Sequence, residues 1–218
     1  MTRQLVIDVF FEFICPWCLI GKRQLQNAIQ QLKQSHPDVS VVLQWRGVQL
    51  LPQIPKDGVP FKAFYLVRLG NATAVRQRQE QVRQAAKIVG IDIDFNLIPR
   101  MPNTNKAHVL FKNALKFASP TLCDRLLEAI FTAYFHHSED ISDIATLQKI
   151  ASYCGFTDEI LDKIFAEQDN TVFISADTGG KGVPYFVFDG SFAVAGAQPA
   201  QALYQAMLEA LEMQEQYA

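Results

Sequence analysis

In Phe11-Glu12-Phe13-Ile14-Cys15-Pro16-Trp17-Cys18-Leu19-Ile20-Gly21, an apolar strand pattern gives way to a helical one at a cysteine. Upstream, Leu5 to Ile14 is almost continuously apolar. Downstream, Leu19, Leu25, Ala28, Ile29 and Leu32 recur at helical spacing. Pro16 suits the first helical position, where its missing N–H costs nothing. Cys15 is then the cap, facing unpaired backbone N–H groups and the positive end of the helix dipole, which favour thiolate over thiol. Cys18, one turn on, shares that face and lies within disulfide reach. Three readings compete: a redox dithiol, half of a zinc site, or two thiols that are neighbours in a core. Zinc needs a second close ligand pair. Cys123 and Cys154 stand alone, and His136-His137 are adjacent rather than spaced for chelation, so no metal is expected. A C-x-x-C between a strand and a helix favours redox chemistry over a chance core pair.

The chain has 218 residues, 49% of them hydrophobic, enough for one globular domain or a domain carrying an insertion. Its net charge of −2 argues against a nucleic-acid partner, and no polybasic run or apolar stretch of spanning length asks for a membrane. Met1-Thr2-Arg3-Gln4 enters the first strand without a charged leader or separate apolar region, so no secretory signal is expected. Four cysteines do not make a disulfide scaffold in a chain this long. The expected compartment is reducing, hence cytoplasmic, where a C-x-x-C is catalytic or redox-sensing.

After the first helix, Ser35-His36-Pro37-Asp38 is a turn. Val39 to Val48 is β-rich and is expected to be a buried strand, parallel to the first in a βαβ unit. Three prolines and a glycine between Leu51 and Pro60 mark a crossing between domains. From Phe61 to about Asn170 the period is helical. Helices are expected over Phe61–Asn71, Ala72–Val89, from Asn103-Thr104 onward, from Ser119-Pro120 onward, and over Ile141–Tyr153 and Thr157–Gln168; Ile91–Met101 is irregular. Arg76, Arg78 and Arg83 are most simply a solvated face. Strand signals return at Tyr185–Phe188. Asp189-Gly190 is a two-residue hairpin signal, Ser191–Ala195 the return strand, and Gln198-Pro199 opens a last amphipathic helix.

The order is βαβ, a helical block, then ββα. Without the block this is the element order of an α/β thioredoxin fold, so the expected organisation is a discontinuous domain of residues 1–57 and 172–218 with an all-helical insertion at 58–171. Gly182-Val183-Pro184 precedes the hairpin, and a proline starting a strand needs a reason. In a thioredoxin fold this is where a cis-proline faces the dithiol, turning the Val183 backbone toward an extended substrate.

Cys15-Pro16-Trp17-Cys18-Leu19-Ile20-Gly21-Lys22-Arg23, Asn103-Thr104 with Ala107-His108, Gly182-Val183-Pro184-Tyr185-Phe186-Val187 and Ala195-Gly196-Ala197-Gln198-Pro199 together resemble the DsbA family, specifically its FrnE-like cytoplasmic branch of dithiol–disulfide oxidoreductases. The resemblance spans nearly the whole chain. It implies a thioredoxin fold with a helical insertion, and that Cys15, Cys18 and Pro184 carry the activity. Related kappa-class glutathione transferases and 2-hydroxychromene-2-carboxylate isomerases have serine where this chain has Cys15. After a glycine matching Gly196 they carry a Ser-Asp pair that holds glutathione; here Ala197 and Gln198 stand there. Both departures count against a dedicated glutathione enzyme.

The expected chemistry is exchange through a mixed disulfide on Cys15, resolved by Cys18. Pro16, Trp17, Val183 and His108 are the expected substrate-binding residues. Glu12 is the candidate for the resolving proton, with its burial left open. Cys123 and Cys154 are read as buried small apolar residues. No cofactor is expected beyond the Cys15–Cys18 disulfide itself, with glutathione as a candidate reductant. The expected partner is a thiol- or disulfide-bearing protein or small molecule, and the chain is expected to be a monomer or homodimer. The rivals are a glutathione-dependent isomerase or transferase, and a redox-sensing or holdase-like client-binding protein.

Overall fold

The computed structural model describes residues 3–167 and 182–216. In chain order the elements are β1 (Arg3–Phe11), α1 (Pro16–Ser35), β2 (Val39–Gly47), β3 (Val59–Pro60), α2 (Phe61–Leu69), α3 (Ala72–Ile88), β4 (Arg100–Met101), α4 (Asn105–Phe117), α5 (Pro120–Phe135), α6 (Ile144–Tyr153), α7 (Asp158–Ala166), β5 (Tyr185–Phe188), β6 (Phe192–Ala195) and α8 (Ala200–Gln216). They form two compact units. One holds β1, α1, β2, β5, β6 and α8; the other begins at Gln49 and holds β3, β4 and α2 to α7. The proline-rich stretch up to residue 57 therefore lies in the helical unit. The expected boundary at 171/172, and Gln168 at the end of an expected helix, lie outside the described residues.

The first unit is built on a four-stranded sheet of order β2-β1-β5-β6. β1 pairs in parallel with β2, from Arg3 opposite Val39 to Phe11 opposite Gly47, and antiparallel with β5, Phe10 opposite Tyr185. Side chains alternate between the faces of a strand. Leu5, Ile7 and Val9 therefore share one face with Phe186 and Phe188. This face is buried against Leu25, Ala28 and Leu32 of α1 and Leu203, Met207 and Leu211 of α8. On the other face Phe10 and Tyr185 meet edge to face, with ring centroids 6.1 Å apart, and Arg46 holds Asp8 at 2.7 Å. Gln24 of α1 accepts from the Ala200 N–H at 2.9 Å, satisfying a donor at the start of α8.

β2 corrects the expectation of a fully buried strand. It is an edge of the sheet, and of its residues only Val39 is buried. Its apolar run reflects one half-covered face, where Val41, Leu43 and Trp45 lie on the core, while Val42 points the other way. The hairpin forms at Asp189-Gly190, with φ of 47° and 67°, the left-handed conformation that this pair tolerates.

In the helical unit the caps follow the sequence. Ser119 accepts from Leu122 N–H at 3.3 Å, Asp143 from Thr146 N–H at 2.9 Å and Thr157 from Ile160 N–H at 3.4 Å. At α4 the Asn103 side chain accepts from Asn105 N–H at 3.0 Å, whereas Thr104, at the cap position, makes no side-chain cap bond. Leu122, Leu126, Ile130, Phe131 and Tyr134 of α5 are all buried. The irregular segment 91–101 ends in β4, which pairs with β3 as a two-residue ladder.

Candidate active site

β1 ends on Phe11 and delivers Glu12, Phe13 and Ile14 into the core before the chain turns into α1. Cys15 is the cap of α1, with extended backbone (φ −90°, ψ 109°), and Pro16 follows as the first helical residue. The N–H groups of Cys18 and Leu19 point back at the Cys15 carbonyl, at 2.9 and 3.4 Å. Cys15 is half-buried, as are Pro16 and Trp17; Cys18 is 2% exposed. All four cysteines are free thiols.

The two sulfurs of the motif are set in opposite directions. The Cys15 thiol is held below the ordinary cysteine range, chiefly by a hydrogen bond donated from the Cys18 thiol. Burial opposes this, the backbone N–H groups of Cys18 and Trp17 assist, and the Glu12 charge opposes. Cys18 is pushed well up, first by burial, then because its own proton is engaged by Cys15 and a thiolate there repels a second one. The Glu12 N–H, 3.4 Å from Cys18 Sγ, works against this rise. Glu12 is fully buried, which settles the question its sequence left open, and Lys22 of α1 is buried as well.

From the far end of the chain, the loop before β5 reaches the dithiol. The Val183–Pro184 bond is cis, and the Cys15 thiol donates to the Val183 carbonyl at 3.7 Å. Pro184 is buried and Val183 half-buried; the Pro184 carbonyl accepts from Gly196 N–H at 2.8 Å. The structure thus brings together Cys15, Cys18, Val183 and Pro184. His108 lies on α4 in the helical unit. It is 1% exposed, so its ring meets packed protein and not solvent.

Gly21 is a residue whose role the sequence did not disclose. A Cβ there would lie 2.8 Å from Pro184 Cγ and 3.3 Å from Phe186 Cζ, so the missing side chain is what lets the proline loop settle on α1. The available signal was a glycine in mid-helix, where alanine is intrinsically better. Gln198 donates from Nε2 to the Ala195 carbonyl at 2.9 Å. Cys123 and Cys154 are buried in the helical unit. Burial, with a smaller push from Asp124, raises Cys123 to about 11, and burial raises Cys154 against the opposing charge of Arg125. Among the described residues no three His, Cys, Asp or Glu side chains gather as metal ligands, and no helix is long and apolar enough to cross a membrane.

A mixed sheet flanked by α1 and α8, a C-x-x-C capping α1 and a helical block between β2 and β5 define a thioredoxin-like protein with a helical insertion. The chain belongs to the DSBA-like thioredoxin domain family, whose model matches residues 6–208. It is 25% identical over 153 residues to the protein YwbO of Bacillus subtilis (strain 168), a match covering 68% of this chain and 66% of that one, just under two thirds of the relative's length. Its fold is similar to that of a probable DsbA oxidoreductase from Streptomyces coelicolor, with a TM-score of 0.79 and 23% identity over 95% of this chain and 90% of that one. It is also similar to a 2-hydroxychromene-2-carboxylate isomerase, with a TM-score of 0.65 and 13% identity over 98% and 99% of the two chains. At these identities the two structures speak for the fold alone.

Proposed function

We propose that this protein is a thiol–disulfide oxidoreductase of the FrnE-like type, exchanging disulfides through Cys15 and Cys18. One observation carries the reading. A half-exposed Cys15 whose thiolate is favoured faces the Val183 carbonyl at 3.7 Å, while its partner Cys18 is buried and kept protonated. An attacking thiol must be accessible and ionised, and a resolving thiol need only reach its neighbour.

In the reductive direction the Cys15 thiolate attacks one sulfur of a substrate disulfide. A mixed disulfide forms and the other substrate sulfur leaves as thiolate. Cys18 then loses its proton and attacks the Cys15 sulfur; the mixed disulfide breaks, the second substrate thiolate leaves, and the protein is oxidised by two electrons. Glu12, whose charge reaches both sulfurs, is our candidate to take the Cys18 proton. Oxidation of a substrate dithiol is the same sequence reversed. Val183 offers an extended substrate its backbone groups, and the half-buried Pro16 and Trp17 give the contact an apolar side. A reducing compartment, the cytoplasm, and glutathione as the thiol that regenerates the dithiol complete the reading. His108 belongs to it only as a residue of the helical unit whose effect on substrate is to be measured.

Insulin reduction tests the proposal. Cys15→Ser is expected to abolish turnover, whereas Cys18→Ser is expected to accumulate mixed disulfides that added thiol releases. Turnover by Cys15→Ser at the wild-type rate would overturn it, and glutathione conjugation by the wild type without disulfide exchange would favour a transferase instead.

A further inference from the structure

The helical unit carries a cavity of about 700 Å³ between α5 and α6, within the size range of small-molecule sites. Its floor on α5 is made of small residues, Ala129, Thr132 and Ala133, spaced three and four apart so that they share one helix face. Ile150 and Cys154 form the opposite wall. A row of short side chains facing a branched one leaves a slot with an apolar lining. Tyr153, at 92% exposure, stands at the rim with its ring uncovered.

The charges at the mouth narrow the choice of ligand. Arg125 and Lys149 both line the cavity, and neither makes a hydrogen bond or ion pair among the described residues. Among the other exposed lysines of this unit, Lys116 pairs with Glu167 and Lys163 with Glu159, each at 2.7 Å, while Lys56, Lys62 and Lys87 make no ion pair among the described residues. The Arg125 guanidinium reaches the far wall: its Nη2 lies 3.8 Å from where a Gly155 Cβ would stand, and its charge acts on the Cys154 thiol. Two carboxylates, Glu128 and Glu139, line the same cavity; Glu128 is already engaged by a neighbour, and together they disfavour a second negative group on the ligand.

We propose that this cavity binds an amphipathic monocarboxylate, with the carboxylate on Arg125 and Lys149 and the apolar body on the small-residue floor under the Tyr153 ring. Arg and Lys side chains are the ordinary recognition elements for a carboxylate, and an aromatic rim covers an apolar body without adding polar demands. Binding is non-covalent, because the Cys154 thiol in the wall stays protonated at neutral pH. The cavity shares no residue with the dithiol, and the proposal does not depend on the exchange reading.

Titration calorimetry of the full chain with 4-phenylbutanoate, together with amide chemical-shift mapping, tests it. The expected result is saturable binding, with shifts concentrated at residues 125–133 and 149–154. Phenylbutylamine, which keeps the body and reverses the charge, is expected not to bind. Arg125→Ala and Lys149→Ala alter exposed side chains and are each expected to weaken binding up to about fivefold, the range for exposed charge pairs. Ala129→Trp fills the slot and is expected to abolish binding. Absence of saturable binding, shifts centred elsewhere, equal binding of the amine, or unchanged affinity in both charge variants would each overturn the proposal.

Discussion

Cys15 and Cys18 are three residues apart and chemically opposed, and the opposition has separable sources. Because the Cys18 thiol donates to Cys15, each sulfur's shift depends on the other. Alkylation by iodoacetamide across pH is therefore expected to modify Cys15 first, with a midpoint below the free-thiol value of about 8.5, and Cys18 later. Peptide mapping that finds Cys18 modified first would reverse the roles. Cys18→Ala removes the largest acidifying influence, so the Cys15 midpoint should move up. Glu12→Gln removes a charge that opposes both thiolates, so the same midpoint should move down. A midpoint that moves up on Glu12→Gln would show that Glu12 acts by holding structure and not by charge. The linkage signs for the reduced protein follow. Cys15, depressed on folding, contributes stability that is present above about pH 8.5 and lost as pH falls through its lower folded value. Cys18, raised on folding, contributes the reverse: its advantage holds below about pH 8.5 and is lost as pH rises toward its folded value.

At the scale of elements, α1 does two jobs, capping the dithiol at its first residue and receiving the proline loop one turn beyond Cys18. Gly21→Ala separates them. The added methyl meets a rigid pyrrolidine ring at 2.8 Å. Overpacking of this kind costs about 1–3 kcal/mol, against about 1 kcal/mol gained in helix propensity. The variant should melt lower and exchange disulfides more slowly while retaining the Cys15-before-Cys18 order of alkylation; a rise in melting temperature would show that the loop yields freely. Another element-level contrast lies in the helical unit. α2 buries only Phe61, and α3 only Val82 and Ala86, while Val67 and Ile88 stand 86% and 80% exposed. With so little buried, α3 should exchange its amide hydrogens faster than α5, which buries nine residues. These contrasts also mark where the sequence could be read. Ser119-Pro120, Thr157, Asp189-Gly190 and the C-x-x-C encode local geometry in local residues, and each lies where its pattern puts it. The edge position of β2, the two-residue β3–β4 ladder and the burial of Glu12 and His108 depend on segments far away in sequence, for which periodicity carries no signal.

For the whole molecule, the topology lets the inserted segment leave the sheet and return to it at neighbouring points. β2 and β5 are immediate neighbours of β1 on either side, and the inserted segment leaves beside Phe11 and returns beside Phe10. Gly47 is opposite Phe11, Tyr185 is opposite Phe10, and Val48 N–H donates to the Phe11 carbonyl at 2.8 Å. Strands are spaced about 4.8 Å apart, so the two ends are about 10 Å from each other, a gap that three or four residues at about 3.3–3.6 Å each can span. The core of this unit, from Leu5 and Ile7 through Leu25 and Leu32 to Phe186, Leu203 and Met207, comes entirely from the two outer segments. Replacing residues 49–181 with a short Gly/Ser linker should therefore leave a chain that unfolds cooperatively and still alkylates at Cys15 before Cys18, because the Cys18 hydrogen bond and the helix terminus both belong to what remains. Thermal melting by circular dichroism and cysteine mapping would check both points. Its turnover of a protein disulfide, compared with that of a small-molecule disulfide, then measures what the helical unit contributes. If the unit serves client binding, the shortened chain loses mainly the protein substrate. Equal loss on both substrates would place part of the exchange chemistry itself in the insertion.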